Sequence, residues 1–102
     1  MHVLVVYAHP SRDSFNGALL NAITEEVTSQ GHTVEVSDLY GDKFSAIGGT
    51  DDFIDLDPVK GFHYQTEQLN AAVNSNFVSE IVREQEKLRR ADMLIFQFPI
   101  WW

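Results

Sequence analysis

The sequence contains no cysteine. That excludes disulfides, iron–sulfur clusters and thiolate zinc sites, and it is compatible with a reducing compartment. Basic residues are few: 7 Lys and Arg stand against 15 Asp and Glu, for a formal charge of −8. A chain so acidic lacks the basic face that displaces counterions from nucleic acid, and it lacks a polybasic membrane anchor. Any anionic ligand has to be held by backbone dipoles and a few local cations. No apolar run approaches the roughly 20 residues that span a bilayer, so membrane insertion is not expected. Neither G-x-G-x-x-G nor G-x-x-x-x-G-K-[ST] occurs, which removes the standard dinucleotide turn and the nucleotide-triphosphatase loop.

What is present is a foldable chain of 102 residues, 44% apolar, long enough for one domain. Val3 to Ala8 is continuously apolar and rich in β-branched residues, as in a strand covered on both faces of a parallel sheet. With Met1 and His2 it reads as strand, without the basic region or cleavage site of a signal peptide. After the polar loop His9-Pro10-Ser11-Arg12-Asp13, the residues Phe15, Ala18, Leu19, Ala22, Ile23 and Val27 recur at helical spacing. Ser14 or Asp13 is a fitting N-cap and Gly31 a fitting stop. Thr33 to Ser37 alternates, as a strand near a sheet edge does.

Residues 38–74 read as one long irregular connection punctuated by glycine and proline, a length more often functional than accidental. Phe77, Val78, Ile81, Val82 and Leu88 then mark an amphipathic helix, and Met93 to Phe98 a third, largely apolar strand stopped by Pro99. This order predicts a doubly wound α/β sheet with the strand order 2-1-3 at its start. There the third strand lies centrally and needs a neighbour on its far side, which residues 99–102 do not supply. An apolar ending, Phe98-Pro99-Ile100-Trp101-Trp102, on such an edge favours aggregation, so the expectation is a domain truncated after its third strand.

In open α/β sheets a ligand sits beyond the carboxyl ends of the strands, where the strand order reverses. That places one candidate site at His9 to Asn16. The helix beginning near Ser14 offers free N–H groups and a positive dipole end for a phosphate. Ser11, Ser14 and Asn16 add short polar groups, and His9 and Arg12 add positive character. An ordinary capped turn with a packed His9 stays open as the other reading. The second candidate is Pro99 to Trp102, at the same sheet edge, where aromatic rings can wall a flat conjugated ligand or simply belong to a core. The acidic residues Asp51, Asp52, Asp55 and Asp57 lack EF-hand spacing and read as a solvated loop, and no metal site is expected. His2 and His32 read as surface residues at element ends.

At this point the residues resemble a known family. Leu4-Val5-Val6-Tyr7-Ala8-His9-Pro10 followed by Ser14-Phe15-Asn16-Gly17-Ala18 is similar to the opening FAD-phosphate loop of the NAD(P)H dehydrogenase (quinone) family. Gly31 through the Asp38-Leu39-Tyr40 turn, Asp57-Pro58 with Phe62-His63-Tyr64, and Ile81 to Pro99 resemble its later blocks in the same order. The resemblance covers essentially all of 1–102 as the N-terminal portion of one flavodoxin-like domain, a three-layer αβα sandwich. It implies FAD rather than FMN as cofactor, NAD(P)H as co-substrate, a quinone as acceptor, a homodimer and a cytoplasmic location. The flavin carries the redox chemistry while the protein orients it.

Carried over by position, His9, Ser14, Phe15, Asn16 and Ala18 hold the pyrophosphate and ribityl region, and Ile100, Trp101 and Trp102 lie against the flavin ring. Asp13 falls where relatives carry a hydroxyl residue, and a carboxylate there has to point away as a cap. His63 falls where some relatives place a Gln near the flavin. The family's catalytic residues lie in blocks absent from 1–102, so the resemblance names none here. A regulatory subunit of a potassium-efflux system, a non-catalytic interaction fragment and a one-electron FMN flavodoxin are the alternative readings.

Overall fold

A computed structural model describes residues 1–101. Trp102 lies outside the described residues. In chain order the elements are β1 (His2–Tyr7), α1 (Phe15–Ser29), β2 (Thr33–Asp38), a single 3₁₀ turn (Thr50–Asp52), α2 (Tyr64–Asn74), α3 (Ser79–Arg90) and β3 (Met93–Gln97). The chain forms two compact units. Met1–Phe44 joins the segment from Glu86 onward in the first, and Ser45–Gln85 forms the second.

The first unit is built on a three-stranded parallel sheet in the order β2-β1-β3, as the patterning predicts. Val5 stands opposite Val36 on one side and Ile95 on the other, and Tyr7 stands opposite Asp38 and Gln97. The central place goes to β1 because its apolar run satisfies both faces: Val3, Leu4, Val5 and Tyr7 are almost completely buried. Val3, Val5 and Tyr7 share a face, as strand alternation requires. They form the core with Leu20 of α1, and Ile23, Val27, Val34, Val36 and Ile95 pack around them. Each such side chain contributes roughly 1.5–3 kcal/mol by leaving water.

On β2, Glu35 and Ser37 alternate with the core-facing valines and so point to the other face. Arg90 meets Glu35 there at 2.7 Å, and Lys87 reaches Ser37 at 3.4 Å. The end of α3 therefore covers the side opposite α1, which gives three layers. β3 pairs with β1, and along its other edge no strand lies among the described residues. Its side chains Met93, Leu94 and Phe96 are exposed.

Helix α1 starts at Ser14, whose hydroxyl oxygen accepts the Gly17 N–H at 3.1 Å, so of the two candidate caps Ser14 takes the role. It ends at Gln30, with Gly31 at φ +83. The Gly31 N–H bonds to the Thr28 carbonyl and the His32 N–H to the Val27 carbonyl, the doubly bonded stop that favours glycine. One expectation needs correction. Phe15, Ala18 and Ala22 do not face the core but are exposed, and the fully buried leucine is Leu20, not Leu19. The helix carries two apolar stripes, and the sheet takes the one through Gly17, Leu20, Ile23 and Val27.

The connection expected to be irregular over 38–74 contains α2. Its Tyr64–Asn74 sequence is mostly polar and buries only Ala71, so no apolar stripe announced it. It ends at Ser75 in the left-handed region (φ 57). In this second unit Phe53 is buried among Phe62, Tyr64 and Phe77, with ring centroids 5.7–6.0 Å from its own. Phe77 and Val78 precede α3, and Phe77 bridges to Phe53 as an isolated antiparallel pair. The buried Asn76 clasps the loop at Asp55. Its side-chain oxygen accepts the Asp55 N–H at 3.0 Å, and its amide donates to the Asp55 carbonyl at 2.7 Å.

Candidate functional site

The site forms where β1 ends. Tyr7, the last residue of the strand, is fully buried, yet its hydroxyl reaches the loop and donates to the Ser11 carbonyl at 3.1 Å. The Ser14 hydroxyl donates to the same carbonyl at 2.7 Å. The Asp13 N–H donates to Ser11 Oγ at 3.2 Å. The loop is thus folded on its own Ser11, and Asp13 is an exposed residue rather than the cap.

Gly17 is what brings this loop against the helix. A Cβ added there would stand 1.8 Å from the Arg12 carbonyl oxygen and 2.6 Å from its carbon. Only a residue without a side chain permits that approach. Glycine in the first turn of a helix is an unfavourable choice on propensity, which is the one sequence signal that marks it.

The N–H groups of Phe15 and Asn16, the first two of α1, have no acceptor among the described residues. They are the orphan donors that make a helix start receptive to an anion. The Ala18 N–H, by contrast, bonds to the Ser14 carbonyl at 3.0 Å. Asn16 is turned to β3: its side-chain oxygen accepts from Gln97 at 2.8 Å, and the Ala8 N–H meets the Gln97 carbonyl at 3.0 Å. Gln97, the polar residue in an apolar strand, thereby ties the loop to the end of β3.

His9 and Trp101 come together, with ring centroids 5.7 Å apart and planes tilted by 60°. The two places singled out in the sequence therefore meet at one sheet edge. Phe15 (76% exposed), Ile100 (77%) and Trp101 (65%) present apolar surface to solvent there.

The second cation takes a different role from the one expected. Arg12 donates to Asp38 at 2.9 Å and lies over the Tyr7 ring, 5.4 Å from its centroid. Asp38 also accepts the Gly41 N–H at 2.9 Å. Arg12 is thus a strut between the loop and the end of β2, with its charge matched by a carboxylate. The sequence carried Tyr7 and Gly17 within the block that resembles a phosphate loop but assigned no individual role at this site to them, to Gln97 or to Asp38.

Other candidates have structural occupations. His63 sits at the start of α2 with its Nδ1 2.9 Å from the Thr66 hydroxyl. In the acidic cluster, Asp52 is buried, not solvated; it accepts hydrogen bonds from Tyr64 and from the Gly49 N–H. Donation to that carboxylate, with some burial, raises the Tyr64 pKa. His2 is half-buried and 2.8 Å from Glu35. Glu35 is held at a pKa of about 2, first by hydrogen bonding to Arg90 and next by His2. Among the described residues no group of three or more His, Cys, Asp or Glu side chains could hold a metal ion, and no helix is long and apolar enough to cross a membrane.

A parallel α/β sheet with a capped, glycine-packed helix start and aromatic residues at its carboxyl edge defines the class of open, doubly wound α/β proteins. Within that class the chain belongs to the flavodoxin-like fold family, which it matches over residues 1–102. It is 42% identical over 101 residues to the human ribosyldihydronicotinamide dehydrogenase [quinone], covering 98% of this chain and 44% of that protein. It is 39% identical to a ribosyldihydronicotinamide dehydrogenase-like protein of Penicillium crustosum, over all of this chain and 38% of the relative. Among solved structures, the NAD(P)H:quinone oxidoreductase of Methanothermobacter marburgensis superposes with a TM-score of 0.76 at 33% identity, covering 100% of this chain and 46% of that one. A Klebsiella pneumoniae protein assigned as a quinone reductase superposes at 0.88 with 43% identity, over 100% and 39%. The chain thus spans about two fifths of the length of the relatives it matches.

Proposed function

We propose that this chain carries the phosphate end and part of the ring wall of the flavin site in an NAD(P)H:quinone oxidoreductase, with FAD as its cofactor. The observation that carries the reading is the meeting of Trp101 with His9 in the loop that leads into α1, whose first two N–H groups are unsatisfied. That donor set suits a pyrophosphate, and the exposed apolar side chains beside it suit a planar ring. The similarity to quinone reductases supports the same reading.

Bound there, a flavin supplies two-electron chemistry between NAD(P)H and a quinone. The residues of this chain bind and orient it. The N–H groups of Phe15 and Asn16 and the His9 ring donate to phosphate oxygens. Ser14 fixes the helix start so that those donors are aligned in advance. Gly17 lets the loop lie close enough for both sets of donors to serve one ligand. Phe15, Ile100 and Trp101 cover apolar parts of the cofactor, and Trp102 is assigned the same role from the sequence. Ala18, exposed on the first turn, lines the approach to the helix start without a polar contact. A homodimer and a cytosolic location complete the proposal, on the family resemblance alone.

The test is an absorption spectrum of the purified chain before and after incubation with FAD or FMN and removal of the excess. A retained flavin band, stronger with FAD, is the expected result. In addition, Ser14→Ala should weaken retention about tenfold, the equivalent of one well-placed cap or hydrogen bond. A soluble folded chain that retains no flavin overturns the proposal. Retained flavin that NAD(P)H does not bleach would bring forward the regulatory-subunit reading.

A further inference from the structure

His9 Nδ1 lies 3.0 Å from both the N–H and the carbonyl oxygen of Ser11. These neighbours demand opposite things of it. Facing the N–H, Nδ1 must be an unprotonated acceptor; facing the carbonyl, it must carry a proton. A neutral imidazole resolves the conflict by choosing a tautomer, and the choice determines what its other nitrogen offers. The Ser11 carbonyl has two lone pairs, and both are engaged, one by the Tyr7 hydroxyl at 3.1 Å and one by the Ser14 hydroxyl at 2.7 Å. The Ser11 N–H can only donate.

We infer that Tyr7, by occupying the Ser11 carbonyl from beneath the loop, holds His9 as the Nε2–H tautomer and so makes it a hydrogen-bond donor to an anionic ligand. Tyr7 is suited to this because it is fully buried and its ring is trapped between the core and the Arg12 guanidinium. Its hydroxyl therefore has one place to go. His9 Nε2 has no protein hydrogen-bond partner among the described residues, so its proton is left for a ligand. In the other tautomer, the Nε2 lone pair would oppose a phosphate oxygen. Tyr7 is on this account a positioning residue, acting on the ligand through His9. The inference rests on the phosphate-binding reading for its purpose, but the tautomer itself does not.

The test is long-range ¹H–¹⁵N correlation NMR of the full chain without flavin, followed by titration with FAD. In the unaltered protein, His9 Nδ1 should resonate as an unprotonated nitrogen and Nε2 as a protonated one. Tyr7→Phe frees one carbonyl lone pair and should shift population toward Nδ1–H, with FAD binding weakened roughly fivefold, about the worth of one neutral hydrogen bond. In a His9→Ala background, Tyr7→Phe should cost nothing further, which a general packing defect would not reproduce. A dominant Nδ1–H form in the unaltered chain overturns the inference, even if Tyr7→Phe fails to fold. So do unchanged His9 nitrogens in folded Tyr7→Phe. If the tautomer is as stated and no FAD binds, the tautomer assignment stands and the flavin proposal falls.

Discussion

Gly17→Ala is the most discriminating perturbation of this chain, because two physical expectations oppose each other at that position. Alanine is the better helix residue by about 1 kcal/mol, so on propensity alone the substitution stabilises α1. The structure predicts the reverse. The new Cβ would stand 1.8 Å from the Arg12 carbonyl oxygen, where real contacts stay beyond 3.0 Å. Helix and loop must therefore separate by more than an ångström, and the atom in the way is backbone, not the end of a flexible side chain. Overpacking of this kind costs about 1–3 kcal/mol, and rigid opposition puts it at the upper end.

The expected net loss from Gly17→Ala is about 2 kcal/mol, a fall of about 1 M in the urea midpoint for a chain of this size. Displacing the loop also disturbs the placement of His9 relative to the start of α1, so FAD retention should drop tenfold or more beyond the stability effect. Gly61→Ala serves as the control. Nothing lies within 4 Å of its added Cβ, and its stability should stay within about 0.5 kcal/mol of the original. The assay is urea denaturation followed by fluorescence, with FAD titration in the absence of denaturant. A Gly17→Ala chain as stable as the original, with its flavin affinity intact, would refute the claim that close loop–helix approach builds this site.

Two further outcomes test the frame around it. Glu35 has its folded pKa lowered from 4.5 to about 2 by Arg90 and His2, so its contribution is complete above about pH 4.5 and fades as pH falls toward 2. Arg90 is half-exposed, which limits that contribution to about 1 kcal/mol; Glu35→Gln should therefore lower the urea midpoint at pH 7 and make little difference near pH 2. In the second unit, Asn76→Ala removes both bonds to the Asp55 backbone and should destabilise by about 1–2 kcal/mol, read as faster hydrogen exchange of the Ile54 and Asp55 amides. Unchanged exchange at those amides would count against Asn76 as the clasp.

The sequence by itself determined the three strands, the place of the first at the centre, a cap at Ser14 or Asp13 and the stop at Gly31. Each of these rests on local chemistry or on a periodicity that a few neighbouring residues carry. It also pointed to the loop at His9 and the aromatic ending as two halves of one place, because parallel strands deliver their carboxyl ends to a common edge. What the tertiary structure decided was which of several equivalent local options is used. Helix α1 has two apolar stripes, and contact with β1 selected the one through Leu20. The mostly polar segment from Tyr64 to Asn74 is a helix with little apolar patterning of its own. Arg12, free in the sequence to meet an anion, is taken by Asp38, twenty-six positions away along the chain. Gly17 and Tyr7 had no separate role in the sequence beyond the block that resembles a phosphate loop, and folding brought each against the backbone of the loop after β1. Such roles depend on distances between residues far apart in the chain, and no local pattern encodes them.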